Sequence, residues 1–312
     1  MASKLRLDKI DLILCDADLN ARQATRMVLQ NQGFRDIRVG NMLEDLVRIL
    51  SQHSPDLLLS ECQLPDGDFC KFLRDVRDKK IGSNPFISVI ALTANPTPEL
   101  IKEVMDSGAD DILTKPVSTR HLMDRIGALT TDRKPFIVTE NYVGPMRGQD
   151  KKADTPPKRI EVPNTLKTKA DGGKVNYLAV EEAIESSLSA VNEGKTEAMA
   201  VHISKMVKEM APVLRNGVVD SPVLRMIDEL LATAQETSER MMDTRYSHVS
   251  ELCRALIGVM HDIKSAGARP NERDVLLLPP LAQAIQVGFA GGIDSAQTAK
   301  AIVDQIHRKA GQ

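Results

Sequence analysis

The sequence has no tryptophan and few aromatic residues of any kind. Aromatic side chains make up 3% of its 312 residues, so it offers few surfaces on which the bases of a single-stranded nucleic acid could stack. The formal net charge is −2, and such a balance gives no general attraction to nucleic acid or to an anionic membrane. The composition therefore argues against a nucleic-acid-binding protein.

Cysteine is scarce, and long hydrophobic runs are missing. No stretch approaches the roughly 20 apolar residues that a membrane-spanning helix needs, and the N-terminal MASKLRLDKIDLIL lacks the apolar core of a signal peptide. These absences predict a cytoplasmic protein without a membrane segment. The cysteines fit a reducing cytosol, because neither metal-site spacing nor a disulfide framework relates Cys15, Cys62, Cys70 and Cys253.

Common catalytic patterns are missing as well. The sequence contains no glycine-rich phosphate loop and no serine–histidine–aspartate constellation, and its histidines do not have the spacing of a metal site. We therefore expect a protein that is not an enzyme and that carries no cofactor.

What the sequence does contain is a set of short apolar runs that each end on a polar residue. The leucine run at 57–59 is followed by Glu61 and then by the turn Pro65-Asp66-Gly67. Three other runs in the first 116 residues end in the same way. The carboxyl ends of parallel strands meet at one edge of a sheet, where open α/β sheets place their ligands. The sequence therefore predicts a polar site formed by Asp16, Glu61, Thr93 and Lys115.

Helical patterns alternate with these runs over residues 8–131. Gly33 and Gly108 follow two of the predicted helices, and Thr97-Pro98 begins another. Alternation of this kind predicts five βα units and a flavodoxin-like, doubly wound, five-stranded parallel sheet.

Two phrases in this region resemble the response-regulator receiver family: GADDILTKP at 108–116 and acid-x-x-Leu-Pro at 61–65. In that family, the residue at position 61 is the aspartate that accepts a phosphoryl group, and an acidic pair after the first strand helps to hold Mg²⁺. The resemblance implies two-component signalling, with a histidine kinase, a phosphotransfer protein or an output protein as partner. It also implies that residues 98–129 form a partner face, with a homodimer as an alternative.

The chain departs from the family pattern at three positions. Glu61 stands in place of the phosphoacceptor aspartate, Ala17 in place of the second acid, and Ile112 in place of the aromatic switch residue. Mg²⁺ needs oxygen ligands that include carboxylates, so Ala17 leaves at most weak Mg²⁺ binding and impairs the metal site. Lys115 can pair with Glu61 directly. We therefore predict a pseudo-receiver, an adaptor that works without phosphorylation. In the alternative reading, Glu61 fills a dead pocket and mimics nothing, because glutamate carries one negative charge and a phosphate nearly two.

The rest of the chain divides into two parts. Residues 132–175 are rich in proline and in basic residues without a regular period, which predicts an extended linker, partly ordered, with packing against a domain as one arrangement. Residues 176–312 carry apolar stripes at helical spacing, which predict an all-α bundle. Within it we expect Gly194 to end the first helix, residues 271–280 to form a break around two prolines, and a last helix at 295–310.

A short segment of the helical part, MHDIKSAG at 260–267, resembles the phosphorylated segment of histidine phosphotransfer domains. The resemblance implies that His261 carries a phosphoryl group and that the ammonium of Lys264, one turn later, stabilises it. In the other reading, His261 is an ordinary solvent-facing histidine. A DNA-binding response regulator that acts through the helical part is a third hypothesis, against which the near-neutral charge counts.

Overall fold

A computed structural model describes residues 5–139, 141–148, 158–216, 219–242, 244, 246–267 and 270–289. The chain divides into two compact units, Met1–Val191 and Asn192–Gln312, and each is described here by itself. The helix predicted at 295–310 lies outside the described residues.

The first unit contains a five-stranded parallel sheet in the order β2-β1-β3-β4-β5. In its register Cys15 pairs with Ser60, and Glu61 pairs with Leu92, so the carboxyl ends of the central strands lie side by side. This sheet is the flavodoxin-like sheet that the alternating pattern predicts. Its strands are β1 (Asp11–Cys15), β2 (Asp36–Gly40), β3 (Leu57–Glu61), β4 (Ser88–Thr93) and β5 (Asp111–Thr114).

Helices cover both faces of this sheet and bury a separate apolar cluster on each. Side chains cap several of them at the N-terminus: Asp18 caps the first helix, and Thr97, followed by a proline, caps the fourth. The helices are α1 (Leu19–Gln32), α2 (Leu43–Gln52), α3 (Phe69–Arg77), α4 (Pro98–Asp106) and α5 (Thr119–Thr131).

The second unit is helical, as expected. A long helix, α7 (Tyr177–Arg215), begins in the first unit and continues into the second. Its second half contributes to one apolar core with three further helices. Among the described helices, none combines the length and the apolarity that a bilayer crossing needs. The three helices are α8 (Ser221–Met241), α9 (Ser247–Ser265) and α10 (Glu272–Gly288).

Two local expectations for this part are wrong. Gly194 lies inside α7 and does not end it, and Pro279 and Pro280 lie inside α10, where we expected a break. A single glycine costs a helix only about 1 kcal/mol. In α10, Leu278, Leu281 and other side chains on both sides of the prolines are buried in the core. Tertiary packing thus overrides the local signals.

Residues 132–170, called here the extension, differ from the extended linker that the sequence predicts. They form a three-stranded antiparallel sheet in the order β7-β6-β8 and a short helix. Each strand has three residues, too few to show the alternation by which strands are recognised. The elements are β6 (Phe136–Val138), β7 (Val143–Pro145), β8 (Lys158–Ile160) and α6 (Thr165–Ala170).

Buried arginines join the extension to the parallel sheet. Arg77, at the end of α3, donates to the carbonyl oxygen of Gly108 and pairs with Asp110 at 3.4 Å. Its burial lowers its pKa to about 10. Arg133 of the extension binds the same Asp110 at 2.8 Å. The ring of Phe136 lies 5.2 Å from the Arg77 guanidinium and 5.0 Å from that of Arg133. Arg133 supplies the partner of Oδ1 of the buried Asp110, so the extension is part of the fold of the first unit.

Two glycines allow the main chains to approach closely at this junction. Gly108 has φ of +101°, and a Cβ atom on Gly144 would lie 2.8 Å from the Cα of Gly108 and 2.6 Å from the Tyr142 hydroxyl. Side chains at either position would push β7 away from the end of α4.

We predict that Gly144→Ala lowers the free energy of unfolding of the first unit by about 2 kcal/mol, because the added methyl group overpacks the junction. Urea titration followed by circular dichroism measures this. Gly148→Ala is the control, since nothing lies within 4 Å of a Cβ there, and its effect should stay within about 0.5 kcal/mol. Equal effects of the two substitutions would contradict the close approach.

Candidate functional site

The carboxyl ends of the parallel strands bring three of the predicted residues into direct contact. Asp16 follows β1, and its N–H donates to the carbonyl of Gly40 at the end of β2. Glu61 is the last residue of β3. Lys115 follows β5, and its N–H donates to the carbonyl of Thr93 over 2.7 Å. The strand register therefore fixes the backbone positions from which these side chains extend.

One ammonium group is shared between two carboxylates. The Nζ atom of Lys115 lies 3.0 Å from Oδ2 of Asp16 and forms an ion pair with Oε2 of Glu61. The side chains of Asp16 and Glu61 are 1% and 6% exposed, and that of Lys115 is 17% exposed. Burial alone would lower the pKa of Lys115, but the hydrogen bonds to Glu61 and Asp16 outweigh it and place the pKa above its usual value of 10.5.

The remaining carboxylate oxygens of this triad face main-chain N–H groups. Oδ1 of Asp16 accepts from the N–H of Asp18 at 3.0 Å, and Oε1 of Glu61 accepts from the N–H of Gln63 at 3.4 Å. The guanidinium of Arg22 donates to the carbonyl of Asp16. The Asp18 side chain accepts from the N–H of Ala21 at 2.7 Å, as the cap of α1. Asp18 therefore does not add a carboxylate to the triad.

Thr93 lies beside the triad and is fully buried. Its hydroxyl oxygen accepts from the N–H of Asn95 at 3.2 Å. Burial raises the pKa of the nearby Cys62 thiol, an effect that Thr93 partly opposes. Ile112, at the position of the family's aromatic residue, packs against the core beneath α3 and α4.

Two further residues, Arg22 and Asp66, shape this edge and are not predicted from the sequence. Arg22 holds the main chain at Asp16, and nothing in a single sequence distinguishes it from other helix arginines. Asp66 caps α2 by accepting from the N–H groups of Leu43 and Glu44 at 2.8 and 3.0 Å. These bonds outweigh desolvation and hold the pKa of Asp66 below its usual value. The available signal for Asp66 is that α2 has no capping side chain of its own.

His261 and Lys264 lie on α9 of the second unit, both exposed. Lys264 forms an ion pair with Asp228 of α8. Gly258, three residues before His261, has no side chain, and a Cβ atom there would meet nothing within 4 Å. His261 is therefore exposed beside an open position on the helix, whereas the ammonium that the resemblance assigns to it has a carboxylate partner.

Outside the triad, metal-ligating atoms gather at one place within the described residues. Ligand atoms of Asp68, Cys70 and Glu103 lie within 4.8 Å of one another. Burial raises the pKa of the Cys70 thiol to about 11, and Asp68 already accepts from the N–H of Lys71 as the cap of α3. This group is separate from the Lys115 triad.

Comparison with known proteins covers the same part of the chain. Residues 12–127 match the family model described as the response regulator receiver domain. These residues form a receiver domain. Receiver domains act in two-component signalling, where they interact with histidine kinases and output proteins.

Curated relatives match the same part of the chain. The Escherichia coli phosphate regulon transcriptional regulatory protein PhoB is 28% identical over 129 residues, which are 41% of this chain and 55% of PhoB. The probable transcriptional regulatory protein y4xI of Sinorhizobium fredii is 39% identical over 119 residues, 38% of this chain and 49% of that protein. The chain thus spans about half the length of these relatives. The structure of the Vibrio cholerae chemotaxis protein CheY4 has 20% identity and a TM-score of 0.35, covering 38% of this chain and 96% of that one.

We predict that Lys115→Met destabilises the receiver domain by about 3 kcal/mol, because it leaves two buried carboxylates without their cation. Urea unfolding of the full chain measures the loss. Lys102→Met, at an exposed position of α4, is the control and should change the free energy of unfolding by less than about 0.5 kcal/mol.

The pH dependence of the stability difference between the wild type and Lys115→Met tests whether the charged ammonium is the stabilising form. A folded-state pKa above 10.5 for Lys115 means that its stabilisation is complete below pH 10.5 and disappears as the pH rises through the raised pKa. The difference between the wild type and Lys115→Met should therefore be constant from neutral pH to about pH 10 and shrink above it. A difference that already shrinks near neutral pH would contradict the ion pair.

Proposed function

We propose that the receiver domain is a pseudo-receiver, which signals through protein contacts without a phosphoryl group on residue 61. The observation that carries this proposal is the Lys115 ammonium shared between Asp16 and Glu61. Phosphoryl transfer depends on positioned positive charge around the transferred group. Here that charge is already neutralised by two carboxylates of the protein itself.

The acceptor position supports the same conclusion. Glu61 has one methylene more than an aspartate, so its carboxylate extends from the end of β3 to Lys115, where it is 6% exposed. The pocket is therefore closed around a protein carboxylate. In this proposal Glu61 holds the receiver in one state, although its single negative charge is less than that of a phosphate.

The residues at this edge do not fit a Mg²⁺ ion. Mg²⁺ needs near-octahedral oxygen ligands at short distance. Ala17 supplies no side-chain oxygen, and the Asp18 carboxylate caps α1. Both oxygens of Asp16 have partners, the ammonium of Lys115 and the N–H of Asp18. We therefore assign no cofactor to this domain and route no step through a metal.

In this role the protein is an adaptor in two-component signalling and not an enzyme. Its partners would be a histidine kinase, a phosphotransfer protein or an output protein, with contacts through residues 98–129. Two relatives carry the name transcriptional regulatory protein, which is the basis of the DNA-binding alternative. The formal net charge of −2 counts against it. The cytoplasmic location and the homodimer remain predictions.

The test is phosphorylation of the full chain by acetyl phosphate with Mg²⁺, followed by intact mass. We predict no adduct on the wild-type receiver domain and none on Glu61→Asp, because that variant still lacks the second carboxylate. The double variant Ala17→Asp with Glu61→Asp should gain an adduct on residue 61, since it regains both the acceptor and the metal ligand.

The possible outcomes distinguish the effect of Glu61 from the effect of Ala17. An adduct on wild-type Glu61 would overturn the proposal. An adduct on Glu61→Asp alone would show that Ala17 does not impair the site. Circular dichroism of each variant confirms that a negative result comes from folded protein.

A second candidate function is phosphotransfer through His261, favoured by its exposure on α9 and the open space beside Gly258. It predicts an acid-labile adduct on incubation with a competent phosphorelay. His261→Gln should remove that adduct, whereas His53→Gln, an exposed histidine just after α2, should leave it. Unchanged uptake in His261→Gln would eliminate this function.

A further inference from the structure

The helical unit contains a cleft between the second half of α7 and α10, with a volume of about 470 Å³. The side chains from α7 lie at positions 204, 207, 208, 211, 212 and 215, and those from α10 at 279, 282, 283 and 286. Both sets follow helical spacing along one face. The α7 side is about 16 Å long and the α10 side about 10 Å, at 1.5 Å per residue. The cleft is therefore a groove and not a round cavity.

The groove has a small apolar floor, one wall with positively charged side chains and one wall with neutral polar side chains. Val207, Ala211 and Ala282 at its base are buried, whereas Lys208 and Arg215 on one wall are exposed. Gln283 and Gln286 form the other wall, and no carboxylate is among the lining residues. Within the described part of the chain, neither Lys208 nor Arg215 forms an ion pair. The two cations are seven residues apart, which is about 10 Å along the helix.

Prolines line both walls of the groove. Pro212 lies inside α7 and Pro279 inside α10. Since proline has no N–H, the carbonyl group of Lys208, a lining residue, lacks the donor that the residue four positions later normally supplies. Besides its two cations, the groove offers the amides of Gln283 and Gln286.

We propose that this groove binds an acidic peptide segment of a partner protein, with two carboxylates about two helical turns apart. The carboxylates pair with Lys208 and Arg215, small side chains between them contact the apolar floor, and the glutamines bind polar groups at the edge. The spacing of the cations exceeds the reach of one phosphate or one carboxylate, and only two cations line the groove, too few for a nucleic-acid backbone. The inference does not depend on the Glu61 pocket.

The test uses the full chain and a fluorescein-labelled, alanine-rich peptide amide with two glutamates seven positions apart. Fluorescence anisotropy at low salt should show saturable binding, and the same peptide with glutamines should bind at least about tenfold more weakly, because two exposed ion pairs are lost. Added salt should weaken binding of the glutamate peptide selectively. Equal binding of the two peptides, or no binding of either, would overturn the proposal.

Variants locate the site on the groove. Lys208→Ala and Arg215→Ala should each weaken binding about threefold, whereas Lys205→Ala, an exposed lysine of α7 outside the groove, should not. The Lys208→Glu variant should no longer bind the glutamate peptide. It should instead bind a peptide in which one glutamate is replaced by lysine. Two results would contradict the assignment: self-association of the chain that Lys208→Glu abolishes, which makes a second copy the occupant, or tighter groove-dependent binding of a short DNA duplex.

Discussion

The shared ammonium of Lys115 is the interaction on which the proposed account of the receiver domain depends. It lies past the end of β5 and reaches the ends of β1 and β3 through Asp16 and Glu61. Two carboxylates this deeply buried repel each other unless a cation lies between them. The same two carboxylates neutralise the ammonium that a phosphoryl group would need. The ion pairs that hold the domain in one state therefore also account for its proposed lack of phosphorylation.

A second set of buried charges acts at the other end of β5. Asp110 precedes that strand and binds both Arg77 and Arg133, so the extension completes the coordination of a charge in the core. The helix α6 adds another contact of this kind, since Lys169 lies 2.6 Å from Asp56 before β3. The two ends of the sheet thus differ in chemistry. One end carries the closed pocket around Lys115, and the extension of the same chain packs against the other.

Much of this could be read from the sequence, and the reasons for the rest are physical. Asp16, Glu61, Thr93 and Lys115 could be placed together because each lies at the end of a short strand of a parallel sheet or just after it, and the carboxyl ends of such strands meet. The strands of the extension could not be predicted, because three residues carry no measurable period and their partners, such as Arg77 and Phe86, lie far away in sequence. Gly194 and the prolines of α10 lie inside helices because buried neighbours outweigh the local helix propensity. Asp66 was missed because it caps a helix that lies before it in the chain, a contact that local capping rules do not cover.

The most direct test of the central claim is a Mg²⁺ titration of the isotopically labelled chain, followed through the amide signals of Asp16, Asp18 and Gln63. The account predicts no saturable change in the wild type at millimolar Mg²⁺, because Lys115 already occupies the carboxylates, and a saturable change in the double variant Ala17→Asp with Glu61→Asp. A saturable change at those amides in the wild type would mean that the triad opens to a metal, and would contradict the pseudo-receiver account.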